Sequence, residues 1–151
     1  MFVPKYYTLV SGTGENRHTL VAFDMALHEA GIADYNLVKV SSILPPKCEY
    51  REIVDIEKGS IIFVAYSTVS VPANEIATTA VAVAIPANAS DNGVIFECFT
   101  SNENAKTKVC DMCSEAMQRR GIAVAEIKSS SATIHGKEGM FAVAISAVIM
   151  W

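Results

Sequence analysis

The sequence predicts an α+β fold: a four-layer α/β/β/α sandwich, two stacked sheets flanked by helices. Three observations predict it. Only two segments carry apolar residues at helical spacing, whereas about eight carry the dense or alternating apolar pattern of strands. Several of those strands are apolar on both faces, which requires cover above and below. The length of 151 residues suits one domain, 1–151, and no linker, repeat or low-complexity tract divides it.

Tyr6–Ser11 reads as the first strand and Gly12–Asn16 as a polar, Gly-rich loop. His18–Ala30 reads as a helix. Leu20, Phe23, Leu27 and Ala30 recur at helical spacing, and Gly31 supplies the stop. Asn36–Val40 alternates weakly, as a strand. It runs into Ser41-Ser42-Ile43-Leu44 and then Pro45-Pro46, which cannot continue a ladder. The two serines therefore sit where a strand gives way to a fixed turn. Ile53–Ile56 and Ser60–Val71 follow as strands.

Ile76–Ile85 is ambiguous. Its alanines suit a helix, but Val81, Val83 and Ile85 alternate with alanine at period two, and Pro86 ends the run. It is assigned as a strand buried on both faces, packed against small side chains. Val94–Phe99 is another strand. Asn102–Arg120 is the second helix, with Ser101 as N-cap and Ala105, Val109, Met112 and Ala116 on its inner face. Arg119-Arg120-Gly121 close it. Ile122–Ser131 and Met140–Met150 complete the strands, across a polar turn at Gly136 and Gly139.

Composition narrows the function. Hydrophobic residues make up 51% of the chain and the mean hydropathy is +0.30. Yet no run reaches the roughly 18 apolar residues of a membrane span. The surplus apolar surface is expected between layers or between subunits. Net charge is −4 and the Lys and Arg residues are scattered, so there is no footprint for nucleic acid. The opening MFVPKYYTLV lacks a signal-peptide core and cleavage site, which predicts a cytoplasmic location and no membrane partner.

Familiar constellations are missing. Cys110 and Cys113 form a C-x-x-C in mid-helix rather than at a helix start, and no second pair or nearby His accompanies them. They read, with Cys48 and Cys98, as reduced core cysteines, and no metal site is expected. His18, His28 and His135 lack ligand spacing. Gly12-Thr13-Gly14 does not complete a phosphate loop, and no G-x-S-x-G elbow occurs.

One segment stands out: Asn36-Leu-Val-Lys-Val-Ser41-Ser42-Ile43-Leu44-Pro45-Pro46. Before it stands Phe23-Asp24-x-Ala26-Leu27-x-x-Ala30-Gly31-Ile32. After it come Asn74-Glu75-Ile76, then Val81-Ala82-Val83-Ala84-Ile85-Pro86, then Gly93-Val94-Ile95-Phe96-Glu97. In that order these segments resemble the pyruvoyl-dependent arginine decarboxylases. The resemblance spans about Leu9 to Trp151. The S-S-I-x-P-P element is its most specific part, and it weakens from Ser101 onward.

The resemblance implies a chemistry that these residue types can perform. Decarboxylation of an amino acid leaves a carbanion that needs an electron sink. A carbonyl forming a Schiff base with the substrate amine supplies one. The family makes that carbonyl from an internal serine. Here the Ser42 hydroxyl would attack the carbonyl carbon of Ser41, and the cofactor would be a pyruvoyl group derived from Ser42. The products would be chains 1–41 and 42–151. Asn36 would stabilise the oxyanion of that attack; without the resemblance it reads as a strand-entry residue. Glu97, in an apolar run, would be the proton donor with a raised pKa, or else an outward-facing strand residue. Asp24 would anchor the substrate guanidinium through paired hydrogen bonds, or else be a solvated helix residue. The implied activity is conversion of arginine to agmatine and CO2 by a homotrimer with sites between subunits, the partner being a small-molecule amino-acid substrate. The rivals are a decarboxylase for another amino acid such as histidine, and a trimer that never cleaves and has no catalytic activity.

Overall fold

A computed structural model describes every residue from Met1 to Trp151. Strand β1 (Tyr6–Asn16) leads into helix α1 (Thr19–Glu29). Strand β2 (Asn36–Lys39), the two-residue strands β3 (Ile43–Leu44) and β4 (Glu49–Tyr50), and the long strands β5 (Ile61–Val71), β6 (Ile76–Pro86) and β7 (Gly93–Thr100) follow. Helix α2 (Ala105–Arg119), β8 (Val124–His135) and β9 (Phe141–Met150) complete the chain. One sheet has the order β2-β5-β9-β1-β4 and the other β3-β7-β6-β8. Helix α1 lies on the first sheet, α2 on the second, and the sheets face each other. The α/β/β/α sandwich expected from the sequence is the observed fold. Neither helix is long and apolar enough to cross a membrane.

Period-two alternation decides which layer each strand residue enters. On β6, Ala80, Ala82 and Ala84 lie under α2 with Val109, Cys113 and Met117. Val81 and Val83 lie between the sheets with Ile95 and Val148. The Ala/Val alternation thus encodes two interfaces: small side chains let the helix come close, and larger ones fill the space between sheets. On β9, Val143, Ile145 and Ile149 face α1 while Val148 and Met150 face the second sheet. Toward one end the inter-sheet layer turns polar. Ser11 donates to Ser146 at 2.9 Å, Ser146 pairs with Thr79 at 2.8 Å, and Ser11 with Ser130 at 2.6 Å. These bonds tie β1 and β9 to β6 and β8, and no buried side-chain polar atom lacks a partner.

The predicted loop Gly12–Asn16 is instead the second half of β1, paired with β9 from Gly12↔Ile145 to Asn16↔Phe141. Its glycines are there for packing. A Cβ on Gly14 would stand 2.1 Å from the Ala22 carbonyl oxygen, and one on Gly12 would stand 2.2 Å from that of Ala26. The main chain of α1 rests directly on this strand. That contact also rotates the helix from its expected orientation. Its buried face is Ala22, Ala26, Leu27 and Ala30, and Leu20 is 83% exposed. Gly14→Ala is therefore expected to destabilise the protein by about 3 kcal/mol, because the clash is with helix backbone that cannot swing aside. Denaturant unfolding checks this: the midpoint falls while the slope is unchanged.

Other boundaries also shift. Helix α2 begins at Ala105 rather than Asn102, because the Asn102 side chain accepts the Asn104 N–H at 2.9 Å and holds the preceding residues in a turn. Its inner face is Ala105, Val109, Cys113 and Met117, a strict four-residue series, so Met112 and Ala116 flank it. Ile53–Ile56 is not a strand. Val54 and Ile56 pack beneath the α1 layer without a ladder, and their carbonyls accept the Tyr35 hydroxyl at 3.4 and 3.5 Å. The short β4 was not expected, and β8 runs on to His135. Both helices end as predicted. Gly31 and Gly121 take φ of +75° and +69°, and Ile32 and Ile122 reach back to the Leu27 and Met117 carbonyls at 3.0 and 3.1 Å.

Candidate active site

The serines mark a change of sheet. β2 runs parallel to β5, and its last contact with that sheet is the Val40 N–H donating to the Val64 carbonyl at 3.0 Å. Two residues later the Ser42 carbonyl accepts the Ile95 N–H at 2.9 Å, and Ile43 and Leu44 pair with Val94 and Gly93 of β7. The Ser41–Ser42 peptide therefore bridges the edges of the two sheets. Sequence reasoning expected a strand giving way to a turn; the turn comes only after β3, where the Cys48 N–H donates to the Pro45 carbonyl at 3.2 Å. Gly93 permits the docking, since its missing Cβ would lie 3.2 Å from Leu44 and 2.3 Å from the Ala84 carbonyl oxygen. Ser41 is exposed and Ser42 half-buried. The peptide between them is held on both flanks by main-chain hydrogen bonds, which limits its conformational freedom.

Glu97 lies on β7 two residues beyond Ile95, so it stands about 7 Å along the strand from the Ser42 contact. It shares the inter-sheet face with Ile95, as the alternation requires, and sits opposite Val81. Because β3 pairs only as far as Val94, β7 has no outer neighbour at Glu97, and a cleft opens there. The cleft has a volume of about 430 Å³. Its walls are Lys39 of β2, Tyr66, Ser67 and Thr68 of β5, and Glu97 to Phe99 of β7. Burial pushes the Glu97 carboxyl above the usual carboxylate range, while the positive charge of Lys39 opposes the shift. A half-buried carboxyl whose pKa is raised is better suited to donating a proton than a free one.

Lys39 and Tyr66 are members of this cleft that sequence reasoning did not assign to it. The Lys39 ammonium lies 4.6 Å from the Tyr66 ring centroid, a distance at which a cation is attracted by the ring face. The only signal for Lys39 was its place two residues before Ser41, on the short strand that leads into the serines. Tyr66 carried none. Cys98 borders the cleft but turns its thiol toward the Ala105 carbonyl at 3.6 Å, and burial pushes that thiol up. It is thus a poor nucleophile. Cys113 is a core residue whose thiol faces the Ala82 carbonyl at 3.5 Å and is pushed up to about 11 by burial.

Two of the expected site residues lie elsewhere in the chain. Asn36 opens β2, and its side-chain amide donates to the Gly59 carbonyl at 2.8 Å. Five residue steps separate it from Ser41, at most about 17 Å of extended chain. Asp24 is exposed on α1 and lines neither the Glu97 cleft nor the surroundings of Ser41. A single chain therefore brings together Ser41, Ser42 and Glu97 but not Asn36 or Asp24. The first three suit the serine chemistry that the sequence suggested: a hydroxyl and a peptide carbonyl adjacent in a held crossover, with a carboxyl of raised pKa farther along β7.

Known proteins resemble this chain over most of its length. The family model described as pyruvoyl-dependent arginine decarboxylase matches residues 6–151. A pyruvoyl-dependent arginine decarboxylase of Methanopyrus kandleri is 35% identical over 153 aligned positions, covering 100% of this chain and 99% of the relative. One from Methanococcus vannielii is 36% identical over 129, covering 83% and 79%. One from Methanothermobacter thermautotrophicus is 36% identical over 131, covering 84% and 85%. The match runs through both sheets, both helices and the crossover between them: the chain belongs to the pyruvoyl-dependent arginine decarboxylase family.

Proposed function

We propose that this protein is a self-processing arginine decarboxylase that releases agmatine and CO2, with a pyruvoyl group generated at position 42. The observation that carries the reading is the Ser41–Ser42 peptide, held between two sheet edges with Glu97 about one strand repeat away, in a chain of this family. The Ser42 Oγ attacks the Ser41 carbonyl carbon, the peptide C–N bond breaks, and an ester forms with the amine of residue 42 freed. Loss of the residue-42 Cα proton to solvent and cleavage of its Cβ–O bond release Ser41 as a carboxylate. Water then replaces the nitrogen, which leaves as ammonia. The single domain, 1–151, becomes chains 1–41 and 42–151. Val40 and Ser42 stay pinned to their sheets while the bond between the serines breaks.

The pyruvoyl carbonyl supplies the electron sink for decarboxylation. Glu97 holds a proton at the mouth of the cleft and delivers it to the carbon that loses CO2. The cleft volume suits an amino acid of arginine's size. Asp24 takes the guanidinium by paired hydrogen bonds, and Asn36 supplies an amide to the oxyanion of self-cleavage. Since both lie outside the cleft of their own chain, they act from a neighbouring copy, which makes a homotrimer with shared sites the working assembly. Exposed Leu20, one turn before Asp24, and exposed Phe99, at the cleft wall, are apolar surface for that contact. The enzyme works in the cytoplasm.

Asp24→Asn is expected to lower kcat/KM for arginine by about 100-fold or more, since a neutral amide cannot match the guanidinium charge. Self-cleavage, followed by intact mass, should be unchanged. Undiminished agmatine formation in this variant would remove Asp24 from the site.

A further inference from the structure

Three cations of this chain lie over tyrosine rings. Arg51 is 4.7 Å from the Tyr6 centroid and Lys128 is 4.9 Å from that of Tyr50. Each of these also holds a carboxylate, Glu49 and Glu126, both at 3.1 Å. Lys39, 4.6 Å from the Tyr66 centroid, holds none; the remaining ion pairs use Lys58, Arg119 and Lys137. Lys39 is exposed at the wall of the cleft that Glu97 lines. Its charge reaches Glu97, but burial raises the pKa of that carboxyl and makes it a weak counter-ion. A ring face orients an ammonium without neutralising it. The cleft, of about 430 Å³, thus presents a positioned cation with room for an anion beside it.

The proposed substrate brings one anion. The α-carboxylate of arginine is bonded to the carbon that Glu97 later protonates. A side chain that reaches this carboxylate must therefore face the same space as Glu97, and Lys39 does. The carboxylate departs as CO2, so the product carries no anion. Agmatine keeps a guanidinium and an amine, both cationic once released at neutral pH. One ammonium at the cleft wall therefore attracts the substrate and repels the product.

We infer that the Lys39 ammonium, seated over Tyr66 and without a carboxylate of its own, binds the substrate's α-carboxylate and selects the amino acid over its decarboxylated product. This rests on the decarboxylase reading proposed above. The contact exists before CO2 leaves and vanishes with it. Removing it should therefore raise KM without lowering kcat, at a pH where Glu97 is protonated. The direct test uses two probes that lack the amine and so cannot condense with a carbonyl. δ-Guanidinovalerate keeps the carboxylate; butylguanidine does not. Their Kd values are measured by titration calorimetry on the self-cleaved wild-type protein, on Lys39→Met and on Lys39→Arg. Wild type should bind guanidinovalerate roughly tenfold or more tighter than butylguanidine, the scale of a hydrogen bond to a charged group. Lys39→Met should bring the two probes within about twofold of each other with butylguanidine little changed, whereas a merely structural effect would weaken both. Lys39→Arg should keep the preference. No preference in wild type, or a preference that survives in Lys39→Met, overturns the inference. A wild-type protein that binds neither probe and makes no agmatine overturns the decarboxylase reading itself, so the two failures are distinct.

Discussion

A chain with Ser42 replaced by alanine stays at full length and makes no agmatine. The substitution removes one oxygen, the one that must attack the Ser41 carbonyl carbon, and with it the source of the cofactor. Decarboxylation should fall by at least about three orders of magnitude, the scale seen when a covalent nucleophile is removed. The fold should persist. The hold of residue 42 on β7 is through its backbone carbonyl and the Ile95 N–H, which alanine keeps. Gel mobility and intact mass check the first point, and radiolabelled CO2 release the second. Ser41→Ala should behave differently, because that residue contributes its carbonyl rather than its hydroxyl; it should still cut.

Glu97→Gln is expected to lower kcat by about 10²- to 10⁴-fold, the usual contribution of a positioned general acid. Burial raises the pKa of this carboxyl and Lys39 partly offsets the rise. Because the protonated form is the donor, kcat should fall as pH rises through that raised value. The glutamine variant should lose this limb of the profile, and Lys39→Met should move it to higher pH. The same shift has a consequence for stability. The folded state binds this proton more tightly than the unfolded chain does. The contribution is therefore full below the ordinary carboxylate pKa and is lost as pH rises through the folded-state value. Unfolding midpoints measured across that window should decline less in Glu97→Gln than in wild type.

Much of this was legible in the residues, for reasons that differ from place to place. The strand character of Ile76–Pro86 could be read because its two faces meet different neighbours, alanines under α2 and valines between sheets. Gly31 and Gly121 could be read because a left-handed residue leaves a local mark. The second half of β1 could not. Gly12 and Gly14 carry the composition of a loop, and their purpose appears only once α1 is laid on them. The same contact hid the true face of α1, since proximity to a glycine strand selected alanines over Leu20 and Phe23. Ile53–Ile56 misled because two buried side chains mimic a strand when no ladder exists.

The candidate site divides in the same way. Ser41 and Ser42 stand where a strand ends, which local pattern showed, but their role and that of Glu97 came from the resemblance. Lys39 entered the cleft through a contact between sheets that no spacing announces. Asn36 and Asp24 do not line their own chain's cleft, and the resemblance alone assigned them too.

The most direct measurement is the intact mass of the purified wild-type chain after prolonged incubation. Two fragments, 1–41 and 42–151, with the longer lighter by one ammonia than a serine-terminated chain and blocked to N-terminal degradation, are the predicted result. A single species of full-length mass would contradict the account at its centre.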